Sequence, residues 1–156
     1  MRIGSDALGI RAYPLLVAEI SVFTLLSRRA DKDAAATLCL LAIHKDVMEA
    51  IEESLAYVSM NAPEGKADFQ NKMDDFAQQA DKFAAMEYCD RASNDIVSNL
   101  YYQMLTAKDK MYAAAVKMFD DFETNGQVPH DDIADYEVTI DAFTTAWEAL
   151  LAAVLE

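Results

Sequence analysis

The sequence predicts an all-α protein, an up-and-down bundle of four long helices preceded by an apolar N-terminal helix. Three observations carry this. The four Gly and three Pro of its 156 residues fall in clusters, at Gly4, Gly9 and Pro14, at Pro63-Glu64-Gly65, and at Gly126 with Pro129, leaving long intervals without a breaker. Those intervals are dominated by Ala, Leu, Met, Glu, Lys and Gln, and β-branched runs are absent. Apolar residues recur along them at three- and four-residue steps, the helical period. No internal repeat or low-complexity linker divides the chain, so residues 1–156 read as one domain, long enough to bury a core.

The first helix is expected from Pro14, a good first-turn proline, to about Arg29. Leu15, Leu16, Val17, Ile20, Val22, Phe23, Leu25 and Leu26 leave it almost no polar face, so it must lie within the bundle or under a partner. Asp31 or Asp33 can cap a second helix reaching about Met60, with the seam Leu41, His44, Met48, Ile51, Leu55 and Val58. Pro63 opens a third, with Phe69, Met73, Phe76, Ala80 and Phe83 on one face. Continuing that register would put Glu87, Asp90 and Asn94 in the seam, so a break is expected near Arg91 to Asn94, with Ser93 as a new cap. The fourth helix carries Val97, Tyr101, Met104, Met111, Ala115, Met118 and Phe122, with Lys108 in register, and ends before Gly126. The last begins after Pro129 and repeats Ile133, Tyr136, Ile140, Phe143, Trp147, Leu150 and Val154. At 1.5 Å per residue such helices are about 40 Å long.

Charge is the second strong signal. With 27 Asp and Glu against 13 Lys and Arg the net charge is −14, and the sequence pI is near 4.3. Phosphate binding draws its affinity from cations, so direct nucleic-acid binding is not expected, whereas a basic protein surface is a suitable partner. Residues 1–30 are net +2, while residues 127–156 are net −7. Lys117 is the last basic residue. Beyond it Asp120, Asp121, Glu123, Asp131, Asp132, Asp135, Glu137, Asp141 and Glu148 stand as the candidate partner-binding set, with Glu156 at the end. A solvated helix face accounts for any one of them, and Asp131 and Asp132 also suit a helix N-terminus. Together they focus a negative potential that would steer a basic partner.

Other constellations are weaker. His44 in the second seam and His130 before the last helix lack the spacing of a metal site, so no metal or cofactor is expected. Met104, Met111 and Met118 repeat every seven residues, as core filler or as an adaptable docking face, with Tyr57, Tyr101 and Tyr102 able to sit at its rim. Cys39 and Cys89 read as free buried thiols of a reducing compartment. Pro14 to Leu26 is too short to cross a bilayer and has no cleavage-site pattern after it, so neither a membrane span nor a secretory signal is expected. Glu49 and Glu52, with Glu87 and Asp90, form two carboxylate pairs at three-residue steps, each pair on one helix face and able to hold Mg²⁺. These four positions resemble the metal motif of all-α nucleoside-triphosphate pyrophosphohydrolases, and the resemblance implies a Mg²⁺-dependent nucleotide hydrolase.

The leading expectation is a cytoplasmic, non-enzymatic acidic bundle that binds and inhibits or masks a basic, nucleic-acid-handling protein. In size and charge it is similar to phage and bacterial inhibitor and immunity proteins and to secretion chaperones. The carboxylates after Lys117 would then imitate nucleic-acid phosphates. The alternatives are the Mg²⁺ hydrolase and a subunit or chaperone of a larger assembly, including a homodimer, driven by the apolar first helix.

Overall fold

The computed structural model describes residues 34–86 and 95–156, and there the chain is helical with no strand. Four helices follow in order: α1 (Ala34–Ser59), α2 (Gly65–Ala84), α3 (Asp95–Asn125) and α4 (His130–Leu155). The expected helix from Pro14 to Arg29, the caps at Asp31, Asp33 and Ser93, and Cys89 lie outside the described residues. Lengths of 26, 20, 31 and 26 residues make α2 the short member of the set.

Turn chemistry explains where the helices stop. Asn61 adopts φ 50° after α1, and the Ala62 N–H returns to the Ala56 carbonyl at 3.3 Å, closing the helix with a left-handed residue that asparagine tolerates. Pro63 stays in the turn, and the helix begins two residues later at Gly65. There a Cβ would lie 2.7 Å from the Glu53 carbonyl oxygen and 2.9 Å from Tyr57 Cβ, so glycine permits the close approach of α2 to α1. After α3, Gly126 takes φ 73° and donates to the Phe122 carbonyl at 2.8 Å. The break expected between the third and fourth sequence stripes is present: α2 ends at Ala84, ahead of Arg91, and α3 starts at Asp95.

Named contacts fix the topology. Cys39 Sγ donates to the Gln79 carbonyl at 3.0 Å and Lys72 meets Glu49 at 2.5 Å, so α1 and α2 are antiparallel. Phe69 packs on Tyr112 and Phe119, while Phe83 stacks on Tyr101 at 5.5 Å, so α2 and α3 are antiparallel. Trp147 Nε1 donates to the Leu40 carbonyl at 2.7 Å and Ser54 meets the Tyr136 hydroxyl at 2.7 Å, which runs α4 against α1. The helices therefore alternate up and down.

The stripes on α2, α3 and α4 are buried as their spacing predicts, apart from half-buried Phe122 at the charged end of α3. Met104, Met111 and Met118 are fully buried, which settles them as core and removes the docking-face reading of that stripe. On α1 the expected seam is only one edge of a wider face. His44, Met48, Ile51 and Leu55 are buried, but so are Ala36, Cys39, Leu40, Ile43, Val47 and Ala50, while Leu41 and Val58 are half-buried. The reason is that α1 packs against α2 on one side and α4 on the other, and a helix with two neighbours needs a broader apolar arc than a coiled-coil seam.

Candidate interaction surface

The carboxylates after Lys117 divide into three groups. The first is already neutralised within the fold. Glu123 accepts from Lys66 at 2.6 Å and from the Tyr57 hydroxyl at 2.8 Å, and both hydrogen bonds hold its carboxyl below the ordinary range. Lys117 bridges Asp132 and Asp121, the latter at 3.0 Å, and the two carboxylates push its ammonium up to about 12. Asp132 sits in the first turn of α4 with its side chain only 7% exposed. It therefore serves the junction of α3 and α4, and its backbone N–H closes that junction onto the Pro129 carbonyl at 3.1 Å.

The second group is exposed. Asp131 and Asp135 lie one turn apart on the outer face of α4, and Asp120 is exposed on α3, where its charge acts on Lys66 on the α2 side. The third group, Glu137, Asp141 and Glu148, falls on one flank of α4 at steps of four and seven residues, with Glu148 exposed and the other two half-buried. None of these six makes an ion pair among the described residues. The structure thus gathers Asp121 with Asp132, and Asp131 with Asp135, but sets Asp120 and Glu123 apart toward α2.

A second acidic concentration lies across α1 and α2. Partial burial and the facing Asp75 raise the Asp46 carboxyl above its ordinary value. Partial burial together with Asp68, Glu52 and Glu64 does the same for Glu53. Lys72 is the main counter-charge here, bonded to Glu49. The acidity is therefore broader than the last 39 residues. The spacing signal was present, since Asp46 and Glu53, and Asp68 and Asp75, are each two helical turns apart, but their meeting across the helix pair is tertiary.

The alternative metal set is not assembled among the described residues. Glu49 is held by Lys72 and, at 3.7 Å, by Lys45, while Glu52 points to solvent. Glu87 and Asp90 lie outside the described residues. His44 is 2% exposed, with its ring 4.3 Å from that of Trp147 and its Nδ1 buried without a hydrogen-bond partner. Desolvation pushes it down to about 4, so it is a neutral core residue at pH 7. Tyr101 is buried and donates to the Ala80 carbonyl at 3.1 Å, and Tyr102 is exposed.

Between α2 and α3 a groove of about 410 Å³ is floored by Phe69, Phe119 and Tyr112 and edged by Pro63, Lys66 and Gln70. By length and composition α4 is apolar enough to cross a bilayer, but its large side chains, Tyr136, Phe143 and Trp147, are buried in the bundle. Its outer face is built from Ala134, Val138, Ala142, Thr145, Ala149 and Ala152, which explains the apolar composition.

No protein-family model matches the chain, and neither a curated protein nor a solved structure matches it.

Proposed function

We propose that the chain is a non-enzymatic acidic helical protein that binds a basic protein partner and inhibits or masks it, as a cytoplasmic protein of the phage or bacterial inhibitor or immunity type. One observation carries this reading. Asp120, Asp131, Asp135, Glu137, Asp141 and Glu148 have no cation partner among the described residues, because Lys66 and Lys117 are already taken by Glu123, Asp121 and Asp132. Among the described residues these six charges stand uncompensated, and a basic surface that neutralises them also gains a steered approach.

The sharper form is that the exposed carboxylates imitate phosphates and occupy a nucleic-acid groove on the partner. The apolar stretch from Pro14 is read as a fifth helix of the same domain. The Mg²⁺-hydrolase reading gains nothing from Glu49, whose carboxylate is engaged by two lysines.

The test is capture from a bacterial lysate by the full chain and by a variant carrying Asp131→Asn, Asp135→Asn, Asp141→Asn and Glu148→Gln. All four changes lie outside the closed core, so the bundle remains folded. The reading expects a basic protein that is retained at low salt, released at high salt or by added duplex DNA, and lost with the variant. Equal capture by both chains would remove the acidic surface as the binding element.

A further inference from the structure

The four helices do not pack equally. α1 lies closely along α2 and α3 along α4, whereas α2 and α3 meet chiefly through rings, with Phe69 5.3 Å from Phe119 and 5.7 Å from Tyr112. Outside these rings the groove of about 410 Å³ stays open, because exposed Ala67 on α2 and half-buried Val116 on α3 are too small to close it. An apolar cavity of about 150 Å³ already holds a benzene ring, so this groove has room for a large side chain and part of the backbone that carries it. Its edges are set in advance. The Tyr112 hydroxyl donates to Gln70 Oε1 at 2.6 Å, and Gln70 Nε2 donates to Asp74 at 2.9 Å. At the other end Lys66 and the Tyr57 hydroxyl both hold Glu123. A site with its walls already fixed loses little to ordering when it is filled.

The charge beside the groove is one-sided. Asp74 and Asp81 continue the Gln70 line of α2 at steps of four and seven residues, and Asp109 and Asp120 flank Tyr112 and Val116 on the outer side of α3. All four are exposed. The cations beside them are taken: Lys66 by Glu123, and Lys108 by Asp109 and by the face of Phe76, 5.7 Å from the ring centre. Asp74, Asp81 and Asp120 have no cation partner among the described residues. An apolar groove rimmed by uncompensated carboxylates is complementary to a segment that carries a large apolar side chain among Lys or Arg, whose aliphatic stems cover further apolar surface. An acidic segment would meet like charge there. We infer that the α2–α3 groove docks a basic segment of the partner protein, with one aromatic or branched aliphatic side chain seated on Phe69 and Phe119 and flanking cations on Asp74 and Asp120. The inference rests on the proposed function for the basic character of the partner, and gives that partner one buried anchor that fixes its position.

Titration of the full chain with three capped peptides, followed by backbone amide shifts in NMR, tests it. The probes are Lys-Lys-Phe-Lys-Lys, the same peptide with Ala in place of Phe, and Glu-Glu-Phe-Glu-Glu. Ala67→Trp fills the groove from an exposed helix position, and Gln103→Trp, exposed on the side of α3 turned away from it, is the control. The expected result is shifts centred on residues 63–70 and 112–119 with the basic Phe peptide, and binding at least about tenfold weaker for each of the other two. Those shifts disappear in Ala67→Trp and persist in Gln103→Trp. The peptide series needs no variant, so it decides the matter even where Ala67→Trp fails to fold. Absence of shifts in these residues with every peptide would overturn the inference. So would equal binding of the Phe and Ala peptides, which would leave the acidic-surface reading standing, since lysines alone would then account for the attraction. Equal binding of the basic and acidic Phe peptides would overturn the basic character of the occupant, and groove shifts that follow protein dilution would assign the groove to a second copy. The two readings fail separately: lysate capture that survives neutralisation of Asp131, Asp135, Asp141 and Glu148 removes the α4 carboxylates as the binding element, while the groove shifts remain.

Discussion

At the end where α1 turns into α2 and α3 into α4, charge is dense and balanced by hand: Lys66 answers Glu123, Lys117 answers Asp121 and Asp132, and Lys72 answers Glu49. Toward the other end Ala34 to His44 and Ile96 to Ala107 carry no Asp, Glu, Lys or Arg, though Asp81, Lys82 and Asp95 stand beside them, and the contacts are rings and aliphatic groups, with Phe83 on Tyr101 and Trp147 on His44. The contrast separates two kinds of binding energy along one molecule. The charged end has more carboxylates than cations and suits a partner held by salt-sensitive attraction. The ring-packed half is held by burial, which salt does not weaken. It also predicts that acid and salt act on different ends.

The largest effect should come from the ring-packed half. Trp147 is 1% exposed and its Nε1 donates to the Leu40 carbonyl, so Trp147→Ala removes a large buried ring and leaves an acceptor short of a partner. Urea unfolding should show a loss of about 3–5 kcal/mol. A loss below about 1 kcal/mol would mean that this end is far looser than the packing implies.

Next comes the acid response of His44. Its folded value of about 4 lies below the ordinary 6.5, so between these values the unfolded chain binds the extra proton. The stability at stake is fully present above pH 6.5 and is lost as the pH falls through 4, to a limit of roughly 3 kcal/mol. Unfolding midpoints of wild type and His44→Phe should therefore diverge in slope across that window. Parallel profiles would contradict a neutral, desolvated imidazole.

At the charged end the effects are smaller. Gly65→Ala forces a Cβ onto the Glu53 carbonyl and Tyr57, and overpacking of this kind costs about 1–3 kcal/mol, readable as a lower thermal midpoint. Glu53→Gln removes the desolvation and the repulsion that together raise this carboxyl. Being largely solvent-screened, the change should stabilise by about 0.5 kcal/mol or less, and the gain should vanish in high salt. A destabilised Glu53→Gln would mean that the carboxylate is held by a favourable contact after all.

Most of the helix framework was legible from spacing, because three stripes, on α2, α3 and α4, each face one core and repeat in phase. On α1 the spacing predicts four of the twelve buried residues, His44, Met48, Ile51 and Leu55, because α1 is flanked by α2 at Cys39 and by α4 at Leu40 and no local period announces two neighbours. The candidate site was less legible. Spacing identified Asp132 as acidic, but only the fold puts it against Lys117 and out of solvent; likewise Glu123 belongs to Lys66, 57 positions away in sequence. Ion pairs between helices depend on register and crossing, which periodicity does not encode.

The most direct measurement is capture of the partner across a salt series by three full-length chains: wild type, the Asp131/Asp135/Asp141/Glu148 neutralised variant, and Leu38→Asp/Ile96→Asp. The account predicts that the neutralised variant loses the partner even at low salt while the double variant keeps it, with wild-type affinity falling steadily as salt rises. Salt-insensitive capture that survives neutralisation and is lost in the double variant would contradict it, and would move the binding function to the exposed apolar residues Leu38 and Ile96.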